Sequence, residues 1–153
     1  MPELDFALLA DYVRADGGVA HVIAGGIDTI NAPAVPTGQN LGLLFRIVFT
    51  RNECGRPHRL EVFFQDEDGT RLAAISSEIT PRWAEGQPAH WGTGVIGGFN
   101  FLVPLPRYGI YSFELMMNDN NLKTLHLRVV ERVLPQEFQV PDAQPLDEPP
   151  GEE

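Results

Sequence analysis

Apolar and polar positions alternate through Leu41–Arg51, with Leu41, Leu43, Phe45, Ile47 and Phe49 on one face and Gly42, Arg46 and Thr50 on the other. A period of two predicts a strand with one buried face. Arg59–Gln65 is rich in aromatic and β-branched residues, runs into Asp66-Glu67-Asp68-Gly69, and resumes as Arg71–Ile79. This predicts a hairpin with an Asp-Gly turn, because glycine supplies the positive φ such a turn needs. A second hairpin is predicted between Tyr108–Met117 and Leu122–Val130, joined by Asn118-Asp119-Asn120-Asn121, residues that tolerate left-handed backbone. Tyr111, Phe113 and Leu115 face one way on its first strand, and Leu125, Leu127 and Val129 do so on its second.

Earlier in the chain, Phe6–Val13 and Val19–Ile30 flank Asp16-Gly17-Gly18, another hairpin-like turn, and Gly25-Gly26 marks a bulge or bend. Phe6-Ala7-Leu8-Leu9-Ala10 contains helix formers, but only a few residues separate it from the next apolar run, which favours a strand. Phe99–Val103 is a short strand ending at Pro104, and Gly92–Gly98 before it reads as a flexible connection. About eight short strands at roughly ten-residue spacing predict an all-β fold, a two-sheet antiparallel β-sandwich.

Leu105-Pro106-Arg107-Tyr108-Gly109-Ile110-Tyr111-Ser112-Phe113 resembles the approach to the sixth strand of an immunoglobulin-like sandwich. There a tyrosine turns its hydroxyl back to the preceding corner, two residues before a core position. Tyr111 would take the corner and Phe113 the core position, in a disulfide-free branch of that fold. Three stretches, Leu4–Val13, Ile23–Asp28 and Tyr108–Glu114, resemble a family of small uncharacterised bacterial proteins, with similarity over most of residues 4–130. That family has no assigned activity, cofactor or site, so the resemblance implies a bacterial single-domain protein and leaves function open.

The composition changes at Pro135. The last nineteen of the 153 residues hold five of the thirteen prolines, six of the 21 acids and no Lys or Arg. Of a net charge of −10, only about −4 therefore belongs to residues 1–134. The predicted organisation is a β-sandwich domain over 1–134 and an acidic, proline-rich disordered tail over 135–153, since proline removes backbone donors and like charges keep a segment extended. The tail is either a solvating segment or a docking peptide centred on Phe138 and Val140.

An acidic chain argues against nucleic acid or an anionic membrane as the main partner. The ten arginines are scattered from Arg14 to Arg132 and form no cluster. The start, Met1-Pro2-Glu3-Leu4-Asp5, is acidic where a secretory leader is basic, and the single Cys54 fits a reducing compartment; the expectation is cytoplasmic.

No catalytic constellation emerges. His21, His58, His90 and His126 show no metal-ligand spacing, and a strand places His58 and Glu61 on opposite faces. His126, between Leu125 and Leu127, is expected on an exposed face. Asp66-Glu67-Asp68-Gly69 has the carboxylates of a calcium loop, with Asp28 or Asp119 as further donors, but lacks the later ligands and is read as a turn. Ser76, Ser77 and Ser112 have no Gly-x-Ser-x-Gly context, and Glu53 beside Cys54 disfavours a thiolate. Gly92–Gly98 lacks the Lys-Ser/Thr ending of a phosphate loop.

Pro81–Trp91 holds both tryptophans, with Arg82, Gln87 and His90 as polar neighbours. Two aromatics on a loop suit an interface anchor or a sugar-stacking surface; otherwise they fold back as a lid over the sandwich end. The expectation is a non-catalytic protein-interaction module without cofactor or metal. Its candidate surface is Arg82, Trp83, His90, Trp91 and Phe138, with self-association possible through an edge strand. The alternative is a small-ligand or carbohydrate-binding sandwich using Trp83 and Trp91.

Overall fold

A computed structural model describes residues 1–132 and 137–142. The described chain forms ten strands: β1 (Glu3–Ala10), β2 (Tyr12–Asp16), β3 (Val19–Ile23), β4 (Thr29–Asn31), β5 (Thr37–Phe49), β6 (His58–Asp66), β7 (Arg71–Ile79), β8 (Thr93–Leu105), β9 (Gly109–Met117) and β10 (Asn120–Val130). One 3-10 turn, Arg51–Glu53, follows β5. Hydrogen bonding orders them as a three-stranded sheet β1-β5-β8, a five-stranded sheet β4-β10-β9-β6-β7 and a two-stranded ribbon β2-β3.

The two larger sheets pack face to face, as the alternation predicts. Leu41, Leu43, Phe45, Ile47 and Phe49 of β5 are all buried, and Leu9, Val103 and Leu105 join them from β1 and β8. The opposite sheet contributes Leu60, Val62 and Phe64 from β6, Tyr111, Phe113, Leu115 and Met117 from β9, and Leu127 and Val129 from β10. Phe64 bridges the inner face, stacked on Tyr111 at 5.2 Å and tilted against Phe113 at 4.7 Å between ring centroids. Burying such side chains supplies roughly 1.5–3 kcal/mol each relative to exposure.

The predicted hairpins form. In β6–β7 the register brings Gln65 opposite Arg71, and Gly69 holds φ +79°. In β9–β10, Met117 pairs with Asn120, so Asn118 and Asp119 form a two-residue loop, both at positive φ. That is the backbone of a type I′ turn, whose twist matches that of the strands. Gly17-Gly18 closes β2–β3 the same way.

Several expectations need correction. There are ten strands among the described residues, not about eight, because two predicted strands are each split. Phe6–Val13 breaks at Asp11 into β1 and β2, which enter different sheets, and Val19–Ile30 breaks at the Gly25-Gly26 bend into β3 and β4. The N–H groups of Gly26 and Ile27 both donate to Leu9 O, fixing that bend. The pairing is not wholly antiparallel: β4 runs parallel to β10, from Thr29 opposite Arg128 to Asn31 opposite Val130. Gly92–Gly98 is not a loose connection, since β8 begins at Thr93 and pairs residue by residue with β5 from Phe49 to Thr37. Pro104 does not end β8; a proline without an N–H is tolerated on an edge strand.

The hairpin-like turn at Asp16-Gly17-Gly18 forms as the β2–β3 ribbon, but its placement as a third layer was not expected. It lies over the outer face of β5 and β8, where Ala10, Val13 and Leu44 form a second small core flanked by Leu8, Ala20 and Ile96. Close approach needs bare backbone below: a Cβ on Gly42 would lie 2.9 Å from Val13 N, and one on Gly98 would lie 2.8 Å from Val13 Cγ2. Asn100 ties the ribbon down, accepting the Val13 N–H at 2.9 Å and donating to Val13 O at 2.6 Å. Of the predicted tail, residues 135–136 and 143–153 lie outside the described residues. Residues 137–142 carry no regular secondary structure and are exposed.

Candidate interaction surface

The 80–92 segment joins β7 to β8 and carries the tryptophans. Gln87 braces it: the Gln87 side chain donates to Trp91 O at 2.6 Å and exchanges hydrogen bonds with Thr93 Oγ1. Two backbone bonds, Gln87 N–H to Ala84 O and Trp91 N–H to Pro88 O, tighten it further. Held this way, Trp91 is 63% exposed, with the His90 ring edge-on at 6.2 Å. Trp83 is half-buried, and Arg82 and His90 are exposed. Arg82, Gln87 and Trp91 line a shallow open groove of about 480 Å³, which Trp83, His90 and Phe138 do not line. Phe138 lies on the chain after β10 and is 86% exposed.

Trp91 leads directly into β8, which has a sheet partner on one side only. Strands at sheet edges present unpaired backbone N–H and C=O groups and are usually blunted by charge. The other long edges follow that rule, with Glu3 and Asp5 on β1 and Arg71 and Glu78 on β7. Strand β8 does not. Its thirteen residues, TGVIGGFNFLVPL, include no charged side chain, and Leu102 on it is 65% exposed. Sequence reasoning missed this edge because its glycines disguised the strand. The period-two series Val95, Phe99, Phe101, Val103, Leu105 was the available signal.

The polar groups singled out in the sequence have internal tasks. Asp66 is buried; its Oδ1 accepts the N–H groups of Asp68 and Thr70 at 3.0 Å, and its Oδ2 meets Arg107 at 3.2 Å. Arg107 also bridges to Asp68 at 2.9 Å, and Glu67 accepts the Ile110 N–H at 2.8 Å. The carboxylates of the β6–β7 turn thus lock it onto the segment before β9. In the same corner the Tyr111 hydroxyl donates to Arg107 O at 2.6 Å and accepts the Arg107 N–H at 3.2 Å, the contact expected of it. Asp119 pairs with Arg59, and Asp28 with Thr29. His126 is exposed, as expected.

His58 is buried against Phe49. The Asn118 amide nitrogen lies 2.9 Å from His58 Nδ1, and Nε2 lies 2.7 Å from Glu53 O. Asn118 Oδ1 accepts the Arg59 N–H, so the amide donates to Nδ1 and Nε2 carries the proton. Glu53 is also buried; its carboxylate meets the Met1 ammonium at 2.6 Å and accepts the Thr50 N–H at 2.8 Å. Burial alone would raise this carboxyl's pKa; the ammonium and the Thr50 bonds outweigh it and hold the group below the ordinary glutamate value. Cys54 is half-buried at the edge of the core.

The whole is an all-β sandwich whose exposed features include a hydrogen-bonded tryptophan loop and a sheet edge whose own residues carry no charge. Residues 5–130 match the model of a family of unknown function, DUF6941, and the chain belongs to that family. No curated protein matches the chain. Among solved structures, the C-terminal domain of wzt is similar at 16% identity and a TM-score of 0.42, covering 91% of this chain and 83% of that one. No helix among the described residues is long and apolar enough to cross a membrane.

Proposed function

We propose that this protein is a non-catalytic interaction module of the bacterial cytoplasm that takes up a protein partner along β8. The observation that supports the reading is the open, uncharged edge of β8 with Trp91 fixed at its start. An extended partner segment adds a strand there: main-chain hydrogen bonds supply affinity, and alternate side chains find the outer face around Leu102 and Trp91. Aromatic anchors of this kind dominate binding energy at interfaces.

The test is affinity capture from host lysate with the full chain and its L102K and W91S forms. A partner identified by mass spectrometry is then titrated, purified, against all three. Binding at least tenfold weaker to L102K, with the fold intact by circular dichroism, is the expected result. Equal binding by all three proteins places recognition elsewhere and overturns the reading.

A further inference from the structure

We propose that the segment received by β8 is an acidic one and that Arg46 reads its carboxylate. This rests on the reading of β8 as a binding edge and names the chemistry of its occupant. The residues of β8 carry no charge, but β5 lends one across it. Arg46 stands on β5, between β1 and β8. Its Nη1 donates to Asp5 of β1 at 2.6 Å, while the rest of the guanidinium lies over Gly94 of β8. A Cβ at Gly94 would stand 2.5 Å from Arg46 Cζ and nearer still to Nη2, so a bare backbone there lets the guanidinium reach toward the edge. Elsewhere in this chain one guanidinium holds two carboxylates: Arg107 bonds both Asp66 and Asp68, and Arg59 both Glu61 and Asp119. For Arg46, Asp5 is the one carboxylate partner among the described residues, and its other side lies over the strand whose edge is open.

In an antiparallel pair, directly opposite residues share a sheet face, with Cβ atoms about 4.5–5.5 Å apart. A residue set opposite Gly94 on an added strand therefore projects beside the Arg46 guanidinium. A carboxylate there gives Arg46 its second acid through charge-assisted hydrogen bonds. A lysine would meet like charge, and a large apolar side chain would cover the guanidinium without pairing it. Eight positions along the strand, Leu102 stands on the same face as Gly94 and is 65% exposed. The occupant is thus an extended segment with an acid opposite Gly94 and an apolar residue opposite Leu102. The loop beside Gly94 adds Arg82 and Glu85, one charge of each sign, so Arg46 decides the preference.

The experiment is selection of displayed random peptides as long as β8 on the full chain, followed by titration calorimetry of the resynthesised peptides. Wild type, R46Q, D5N and L102K are compared, with the fold of each checked by circular dichroism. The expected result is enrichment of Asp or Glu at one fixed position, whose change to Gln weakens binding to wild type about tenfold and leaves binding to R46Q unchanged. D5N frees the guanidinium from its own acid and should hold the acidic peptide more tightly than wild type does. That arm decides the matter if R46Q does not fold, and a D5N protein that gains nothing overturns the role of Arg46. Selected peptides without an enriched acid, or a preference for Glu over Gln that survives in R46Q, overturn it as well. If those peptides still bind L102K more weakly, only the acid is wrong and strand addition stands. No selected peptide, or none sensitive to L102K, overturns both.

Discussion

Tyr111 does two jobs with one side chain. Its ring stacks on Phe64 in the core, and its hydroxyl satisfies both backbone groups of Arg107 in the corner before β9. Tyr111→Phe keeps the ring and strips the hydrogen bonds from a partly buried corner, so a loss of about 1–3 kcal/mol is expected. A lower urea midpoint at unchanged m-value checks it. Glu53 gives a pH dependence with a definite sign. Its folded-state pKa lies below the ordinary value of 4.5, so its contribution is complete above that value and is lost as pH falls through the lower folded one. Glu53→Gln should therefore cost stability near neutrality and flatten the acid limb of a thermal-stability profile; an acid limb as steep as wild type's would rule Glu53 out as its source.

At the scale of elements, the ribbon and β8 depend on each other. Asn100 on β8 makes both hydrogen bonds to the Val13 backbone, and bare backbone at Gly42 and Gly98 lets the ribbon approach. Asn100→Ala should cost about 1–3 kcal/mol by leaving buried groups of Val13 unpaired. It should also raise amide exchange in β2 and β3 ahead of β5, which hydrogen exchange resolves strand by strand. Gly42→Ala forces a methyl group against Val13 N and should cost a similar amount, about 1–3 kcal/mol, by overpacking.

Strands with unbroken alternation, such as β5 and β6, were legible because each buries one face of large side chains. The Asp-Gly and Asn-rich turns were legible because few residues take positive φ. The ribbon's turn was legible at Asp16-Gly17-Gly18, but its packing was hidden because Val13 and Leu44 are buried by a third layer, which a two-faced pattern cannot register. Strand β8 was hidden because glycines stand where other strands carry side chains. The parallel β4–β10 pair joins segments about a hundred residues apart, and no local signal reports it. Of the candidate site, Trp91 and its loop were read from the sequence, whereas the edge beside them needed the sheet order.

For the molecule as a whole, charge and surface divide the labour. Six acids sit on the last nineteen residues, the other long edges carry charge, and the uncharged edge stands alone with Trp91 at its head. Trp91 and Leu102 contribute little to the core, so W91S and L102K should each change stability by less than about 0.5 kcal/mol while changing association. Chemical denaturation alongside binding checks that separation. The most direct measurement is residue-resolved amide exchange along Thr93–Leu105 in the L102K protein at high dilution. With an open edge, every second amide of β8 is protected by β5 and the alternate ones exchange at nearly unprotected rates. Uniform protection along all of β8 would mean that another part of the chain already covers the edge, and the interaction surface would have to be sought elsewhere.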